Sequence, residues 1–413
     1  MRVIFTSFAL DAHFLGQVPL AWALRCAGHE VRIASQPALT ESITSAGLTA
    51  VPVGADHAWH EAMTGADNPD WDVTLDLDPA RPETHHPDLV RAVATEMTTR
   101  FFARANNDSM IDDLVAFARA WRPDLVVWEP FTPAGAVAAA VTGAAHARLL
   151  WGADLVVDQR NALLRLPGPD PLADWLGGVG ERYGLMFDEQ LVRGQWTIDQ
   201  MPASIRLPLG EPTLPMRYVP YNGPAVVPDW LREPPRRPRV CLTVGISERH
   251  GANFVEVTLP KLLESVADLD AEIVATVSAS ARTRIPALPE NVRAVEFVPL
   301  HVLLPTCSAI LHHGGAGTWA TAVSAGVPQL IFPSVWDNAY RARRTEELGA
   351  GLVVPATEAT PATLRDGLAR LLTESSFADG AERLRRELLA DPAPADVVPR
   401  LEKLVLEHRQ AGL

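Results

Sequence analysis

The residues best suited to do chemistry lie in one short run, His312-His313-Gly314-Gly315-Ala316-Gly317-Thr318. It follows the apolar stretch Ala309-Ile310-Leu311 and leads into a helical pattern carried by Ala316, Trp319, Ala320 and Val323. Strand, glycine loop and helix start, in that order, make an anion site. The first amides of a helix have no partner and sit at the positive end of its dipole. The glycines let backbone approach a phosphate closely, and the neighbouring histidine adds a donor. A diphosphate is the ligand this suits. Two other readings use the same residues. One is a tight turn whose glycines serve packing alone. The other is a dinucleotide site: Gly315-x-Gly317-x-x-Ala320 satisfies the relaxed fingerprint, and Asp337 follows where a ribose wants an acid. Against a nicotinamide or flavin enzyme, paired histidines precede the glycines, and the N-terminal strand–helix unit has no glycine fingerprint.

Two acidic patterns are set aside. Asp76-Leu77-Asp78 has the spelling of a metal-binding DXD, and Glu83-Thr84-His85-His86 that of a metal site, but both sit in a Pro-rich acidic loop. They read as surface residues, and no metal is expected.

The elements that must position the loop follow a strand–helix alternation. In the first half, strands are expected at Val3–Phe8, Glu30–Ala34, Leu48–Val53, Asp124–Trp128 and His146–Leu150. Helices are expected at Gln17–Ala27, Leu39–Ala46 and Thr132–Val141, with one long helix over Pro87–Trp121. The stretch from Gly152 to about Trp196 reads as broken helix. After a proline-rich segment the alternation restarts at Arg239–Val244, with strands at Glu272–Val277, Val292–Phe297, Ala309–His312, Gln329–Phe332 and Gly351–Val354. Phe254–Val266, Thr318–Ala325, Asn338–Leu348 and Thr363–Leu372 read as its helices. Such alternation implies parallel sheets covered on both faces.

The chain has 413 residues, too long for one core, so two domains of roughly 150–200 residues are expected. The assignment is an acceptor-binding domain at 1–203, a Pro-rich linker at 204–238, a nucleotide-sugar domain at 239–390, and a C-terminal helix at 391–413 packing back on the first domain. With 47% apolar and 21% charged residues the chain is globular, not disordered. A net charge of −14 argues against nucleic acid and anionic membranes as partners. Cys26, Cys241 and Cys307 are far apart and odd in number, and read as buried free thiols of a cytoplasmic protein. No uncharged apolar run reaches the length of a membrane span.

The run from Phe297 to Ala350, FVPLHVLLPTCSAILHHGGAGTWATAVSAGVPQLIFPSVWDNAYRARRTEELGA, resembles the nucleotide-sugar signature of inverting GT-B glycosyltransferases. It is most similar to the actinomycete enzymes that attach deoxysugars to macrolides and other polyketides. QVPLAWALRCAGHEVRIASQP and RPDLVVWEPFTPAGAVAAAVTGAAHARLLWG in the first half resemble the same group. The resemblance implies a GT-B fold, two tandem doubly wound domains facing a cleft, with a thymidine diphosphate deoxysugar as co-substrate and no cofactor. It implies that His313 contacts the diphosphate and that Gly315, Ala316, Gly317 and Thr318 cradle it. Val298 takes the position whose backbone faces the nucleobase, and Asp337 and Asn338 the positions that hold sugar hydroxyls. Gly245 turns near the phosphates; Ile246 stands where many relatives carry a hydroxyl residue, and Ser247 is the candidate substitute. Many relatives carry Gln where this chain has Asn338 and Leu300.

An inverting transfer needs the acceptor hydroxyl deprotonated as it attacks, and a histidine with its ordinary pKa near ~6.5 suits that task. His13, expected in the loop after the first strand, matches the family's base position. Glu129, after the Asp124–Trp128 strand, matches the acid that orients it, where relatives have Asp; Asp11 is the local alternative. Phe14, Trp59, Trp71 and Phe101-Phe102 are candidates for lining an apolar polyketide aglycone, or are simply core. The resemblance also brings in a haem-less, cytochrome-like auxiliary protein, and a homodimer is compatible with it. A non-catalytic nucleotide-sugar-binding protein is the remaining alternative.

Overall fold

The computed structural model describes residues 1–57, 79, 85–244, 258–283, 285, 287–333 and 337–411. The chain forms two compact units. One comprises Met1–Met201, Arg206–Arg217 and Asp391–Leu413; the other comprises Pro202–Ile205 and Tyr218–Ala390. Each is a doubly wound parallel sheet with helices between its strands, the architecture of the GT-B glycosyltransferases.

The first unit holds β1 (Arg2–Thr6), β2 (Glu30–Ser35), β3 (Ala50–Pro52), β4 (Leu125–Trp128), β5 (Ala145–Leu149), β6 (Trp196–Asp199) and β7 (Thr213–Pro215). Their order is β3-β2-β1-β4-β5-β6-β7, and every pairing is parallel. The order reverses between β1 and β4, where Thr6 pairs with Trp128. Val3, Ile4 and Phe5 are buried without alternation, as expected for a strand covered on both faces.

Several sequence expectations need correction here. The long helix over Pro87–Trp121 is broken into Pro87–Glu96, a π turn at Met97–Phe102, a short piece at Ala103–Ala105 and Asp108–Trp121. Asn107 begins the last piece, its side chain accepting from the Met110 amide. A cap of this kind satisfies an otherwise orphaned donor. The stretch to Trp196 contains the helices Leu155–Leu164, Pro171–Glu181 and Gln190–Arg193, then β6 as a strand. Within the segment read as linker, Thr213–Pro215 adds the edge strand β7, where proline's missing donor costs no interior ladder bond. Cys26 is exposed, not buried, whereas Cys241 is buried and Cys307 half-buried; all three are free. The helix Pro394–Ala411 packs in the first unit: His29 Nε2 lies 2.9 Å from Glu402, and Arg409 pairs with Asp124.

The second unit holds β8 (Arg239–Thr243), β9 (Glu272–Thr276), β10 (Val292–Val295), β11 (Ala309–His312), β12 (Gln329–Ile331) and β13 (Gly351–Val353), ordered β10-β9-β8-β11-β12-β13. Here the reversal falls between β8 and β11, with Thr243 beside His312. Alternate residues feed two cores. Val240, Leu242 and Leu311 pack with Leu364 and Leu368, while Cys241 and Ile310 pack with Leu303 and Ala322. Among the described residues no helix is long and apolar enough to cross a membrane.

Candidate active site

Ligands in doubly wound sheets bind at the carboxyl ends of the strands where the order reverses. In the first unit that point gathers His13 and Glu129. His13 was expected in a loop; it lies instead in a one-turn helix, Asp11–Phe14, just after β1. Glu129 follows β4 directly and is fully buried. His13 Nδ1 is 3.1 Å from Glu129 Oε2. The same carboxylate accepts from the Phe131 amide at 3.0 Å and from Trp151 Nε1 at 3.1 Å, and its Oε1 accepts from the Thr132 hydroxyl. A carboxyl group engaged by four partners cannot rotate away. It therefore accepts a hydrogen bond from the Nδ1–H of His13, which keeps its proton there and leaves the Nε2 lone pair outward. Asp11, the local alternative, accepts from Ser42 Oγ at 2.5 Å.

Aromatic rings fix the imidazole plane. Phe8 and Trp151 meet it edge-on at 4.6 and 4.7 Å, and Phe131 lies at 5.4 Å. Sequence reasoning missed Phe8, Thr132 and Trp151. Their signal was position alone: each stands at the carboxyl end of β1, β4 or β5. His57 lies 5.3 Å from Phe8 and donates to the Ala9 carbonyl at 3.2 Å; burial pushes its imidazole below the ordinary value. Phe101 and Phe102 pack against Phe131, and Phe14 is wholly buried, so Phe14 is core. Trp59, Trp71 and Asp76–Asp78 lie outside the described residues, as does part of Glu83–His86.

In the second unit the reversal gathers the glycine loop. The helix Ala316–Ala325 starts at Gly315 with no side-chain cap, and among the described residues the amides of Ala316, Gly317 and Thr318 have no partner. Gly314 has φ of +95°, a conformation that favours glycine, and its amide donates to His312 Nδ1 at 3.1 Å. A Cβ on Gly315 would sit 2.8 Å from His313 Nε2, so glycine there lets the ring lie over the loop. Among the described residues, His313 Nδ1 is buried without a partner. Burial, then the nearby Arg341 cation, push His313 down to about 4. His312 is different: it is buried, bonded to Gln329 at 2.9 Å, and pushed down to about 3, first by burial and then by His313. It holds the loop and does not face a ligand.

The helix Asp337–Glu347 brings Asp337 and Asn338 to the same place, for Asn338 packs on Gly314. Both are engaged by Arg341, which sequence reasoning missed although it falls one turn along the helix. Val298 lies just past β10 with its side chain in the core beside Leu303 and Ile310. Gly245 and Ser247 lie outside the described residues. Among the described residues no cluster of three or more metal-ligating side chains occurs.

Comparison with known proteins decides the family. Residues 22–245 match the N-terminal domain of the erythromycin biosynthesis protein CIII-like (EryCIII-like) family, and residues 260–404 match its C-terminal domain. The chain belongs to the EryCIII-like glycosyltransferases. It is 52% identical to the 10-deoxymethynolide desosaminyltransferase of Streptomyces venezuelae, over 99% of this chain and 98% of that one. It is 54% identical to the TDP-daunosamine transferase DnrS of Streptomyces peucetius, again over 99% and 98%. Glycosyltransferase VinC, solved in complex with DTDP, superposes with a TM-score of 0.88 at 45% identity, covering 98% of this chain and all of that one. This EryCIII-like chain is thus a glycosyltransferase, and the nicotinamide reading of Gly315–Ala320 is set aside.

Proposed function

We propose that this enzyme moves a deoxysugar from a thymidine diphosphate donor to a hydroxyl of a polyketide-type aglycone in antibiotic biosynthesis, with inversion. The observation that carries it is the His13–Glu129 pair at the β1/β4 reversal. Nε2 of His13 takes the proton of the acceptor hydroxyl as its oxygen bonds to the anomeric carbon. The bond from that carbon to the diphosphate breaks, and its electron pair leaves with the phosphate. The growing negative charge falls to the free amides of Ala316, Gly317 and Thr318 and to an N–H of His313. Gly315 lets the backbone come close. In this reading the Val298 backbone faces the base, and Asp337 and Asn338 meet the sugar. No metal enters the scheme. The names of the relatives support the donor and acceptor classes. An auxiliary protein of the cytochrome-like kind belongs to the same reading, and a purified chain that gains activity from a co-expressed helper is its expected sign.

The test is a transfer assay with thymidine diphosphate deoxysugars and macrolide or anthracycline aglycones, paired with melting in a panel of nucleoside diphosphates. Thymidine diphosphate at about 100 times its dissociation constant should add about 2.7 kcal/mol of stability. Equal stabilisation by every nucleotide, or by none, would sink the donor assignment.

A further inference from the structure

Residues three and four apart are neighbours on a helix. On the Asp337–Glu347 helix this puts Arg341 against both residues tied to the sugar. Arg341 Nε donates to Asp337 Oδ2 at 2.6 Å, and Nη2 donates to Asp337 Oδ1 at 3.0 Å and to Asn338 Oδ1 at 2.9 Å. Both partners of the ion pair are buried. The guanidinium lies 5.4 Å from the ring of Trp319, on the helix that the glycine loop begins. A buried ion pair is weak evidence of stabilisation, because desolvation offsets its attraction.

A guanidinium can only donate. The Asn338 atom that meets it is therefore the carbonyl oxygen, and the NH2 edge is turned away. Asn338 in turn packs on the loop: a Cβ built on Gly314 would lie 3.2 Å from Asn338 Cβ and 3.4 Å from its Cγ. We propose that Arg341 is a positioning residue of the diphosphate site, holding the Asp337 carboxylate and turning the Asn338 amide so that N–H groups border the His313–Gly317 loop. The inference rests on the donor-site reading above and adds a residue to it.

The same cation acts on His313. Arg341 Nη1 and His313 Nδ1 are both buried without a partner among the described residues. Among the described residues, the charged and titratable groups that meet the His313 ring are His312 beside it and Arg341, with its partner Asp337, on the Asp337–Glu347 helix. Burial first, and the Arg341 charge second, keep the ring uncharged at neutral pH. The diphosphate then meets a neutral N–H, with fixed positive charge behind it. Removing Arg341 takes away that charge and leaves the Asp337 carboxylate, so His313 gains a proton at higher pH.

The experiment measures thymidine diphosphate binding by calorimetry at about pH 6 and about pH 8, with the histidine ring signals followed by NMR. Wild type should bind with its His313 ring uncharged at both. Arg341→Lys keeps the charge but loses the planar fork that grips Asp337 and Asn338, so it should weaken binding by a similar factor at both pH values with the His313 ring still uncharged. Arg341→Gln should bind about tenfold or more weakly near pH 8 and recover part of that loss near pH 6, as His313 charges. Adding His313→Gln should remove the recovery. A loss in Arg341→Gln of equal size at both pH values, or no loss, overturns the proposal. Should that variant fail to melt cooperatively, wild type decides: a His313 ring titrating at its ordinary value overturns it. Wild type that binds no thymidine diphosphate overturns the donor-site reading instead.

Discussion

Glu129 accepts from His13, Phe131, Trp151 and Thr132 at once, and that crowding decides what substitution does. Glu129→Gln supplies an NH2 group where the site offers only donors. One of those bonds must fail, and His13 is free to present the wrong tautomer. Turnover should fall by about 10²–10⁴ in Glu129→Gln and in His13→Gln, while thymidine diphosphate affinity stays at the wild-type value. Single-turnover rates beside calorimetry check this; parallel loss of both would refute the assignment. Asp11→Asn should change little, since that carboxylate bonds Ser42. The motif and the resemblance made His13 and His313 readable in the sequence. Which acid meets His13 was not, because Asp11 is two residues away and Glu129 comes from another strand.

At the scale of elements, each half-site exists because two non-consecutive strands lie side by side. The helix Ala134–Thr142 must approach β1 and β4 closely to cover the first of these. Gly135 permits it: a Cβ there would lie 2.4 Å from Thr6 Oγ1 and 2.7 Å from Trp128 Cβ. Gly135→Ala should cost about 1–3 kcal/mol in denaturant unfolding, as overpacking does. An unchanged midpoint would mean that the helix can move. Continuous apolar runs such as β1, β4 and β11 were legible because parallel sheets bury both faces. β6 and β7 were not. Trp196–Asp199 mixes apolar and polar residues, and Thr213–Pro215 is three residues long among prolines. The break at Asn107 was hidden because the apolar spacing runs through it, and only the cap marks it.

Over the whole molecule, buried titratable groups set the response to pH. His146 is pushed down to about 4 by burial, then by His408, and His312 and His313 are lowered likewise. A lowered histidine binds fewer protons folded than unfolded, so stability falls as pH drops from 6.5 through the folded value. Asp199 acts in the opposite sense. Burial raises it to about 7, against the Met201 amide and Arg206, which lower it. Its contribution is full below the ordinary carboxylate range and is lost as pH rises through about 7. Asp199→Asn should therefore raise the melting temperature near pH 8 and leave it unchanged near pH 4. The reverse pattern would show the carboxylate to be charged. The C-terminal helix offers a separate check. Leu401 is fully buried in the first unit, so Leu401→Ala should cost about 2–5 kcal/mol.

The sequence by itself determined what is local or periodic: the parallel α/β class, a restart after the prolines, a glycine loop at a helix start, and the family. Those signals follow from short-range rules, namely strand and helix spacing and the amides a helix leaves unpaired. Only the tertiary structure decided which carboxylate meets His13, that Arg341 grips Asp337 and Asn338, and that Gly135 lets a helix close on β1 and β4. Each of these depends on which strands become neighbours and which faces are buried. No residue spacing states that, because it arises when distant segments exclude water together.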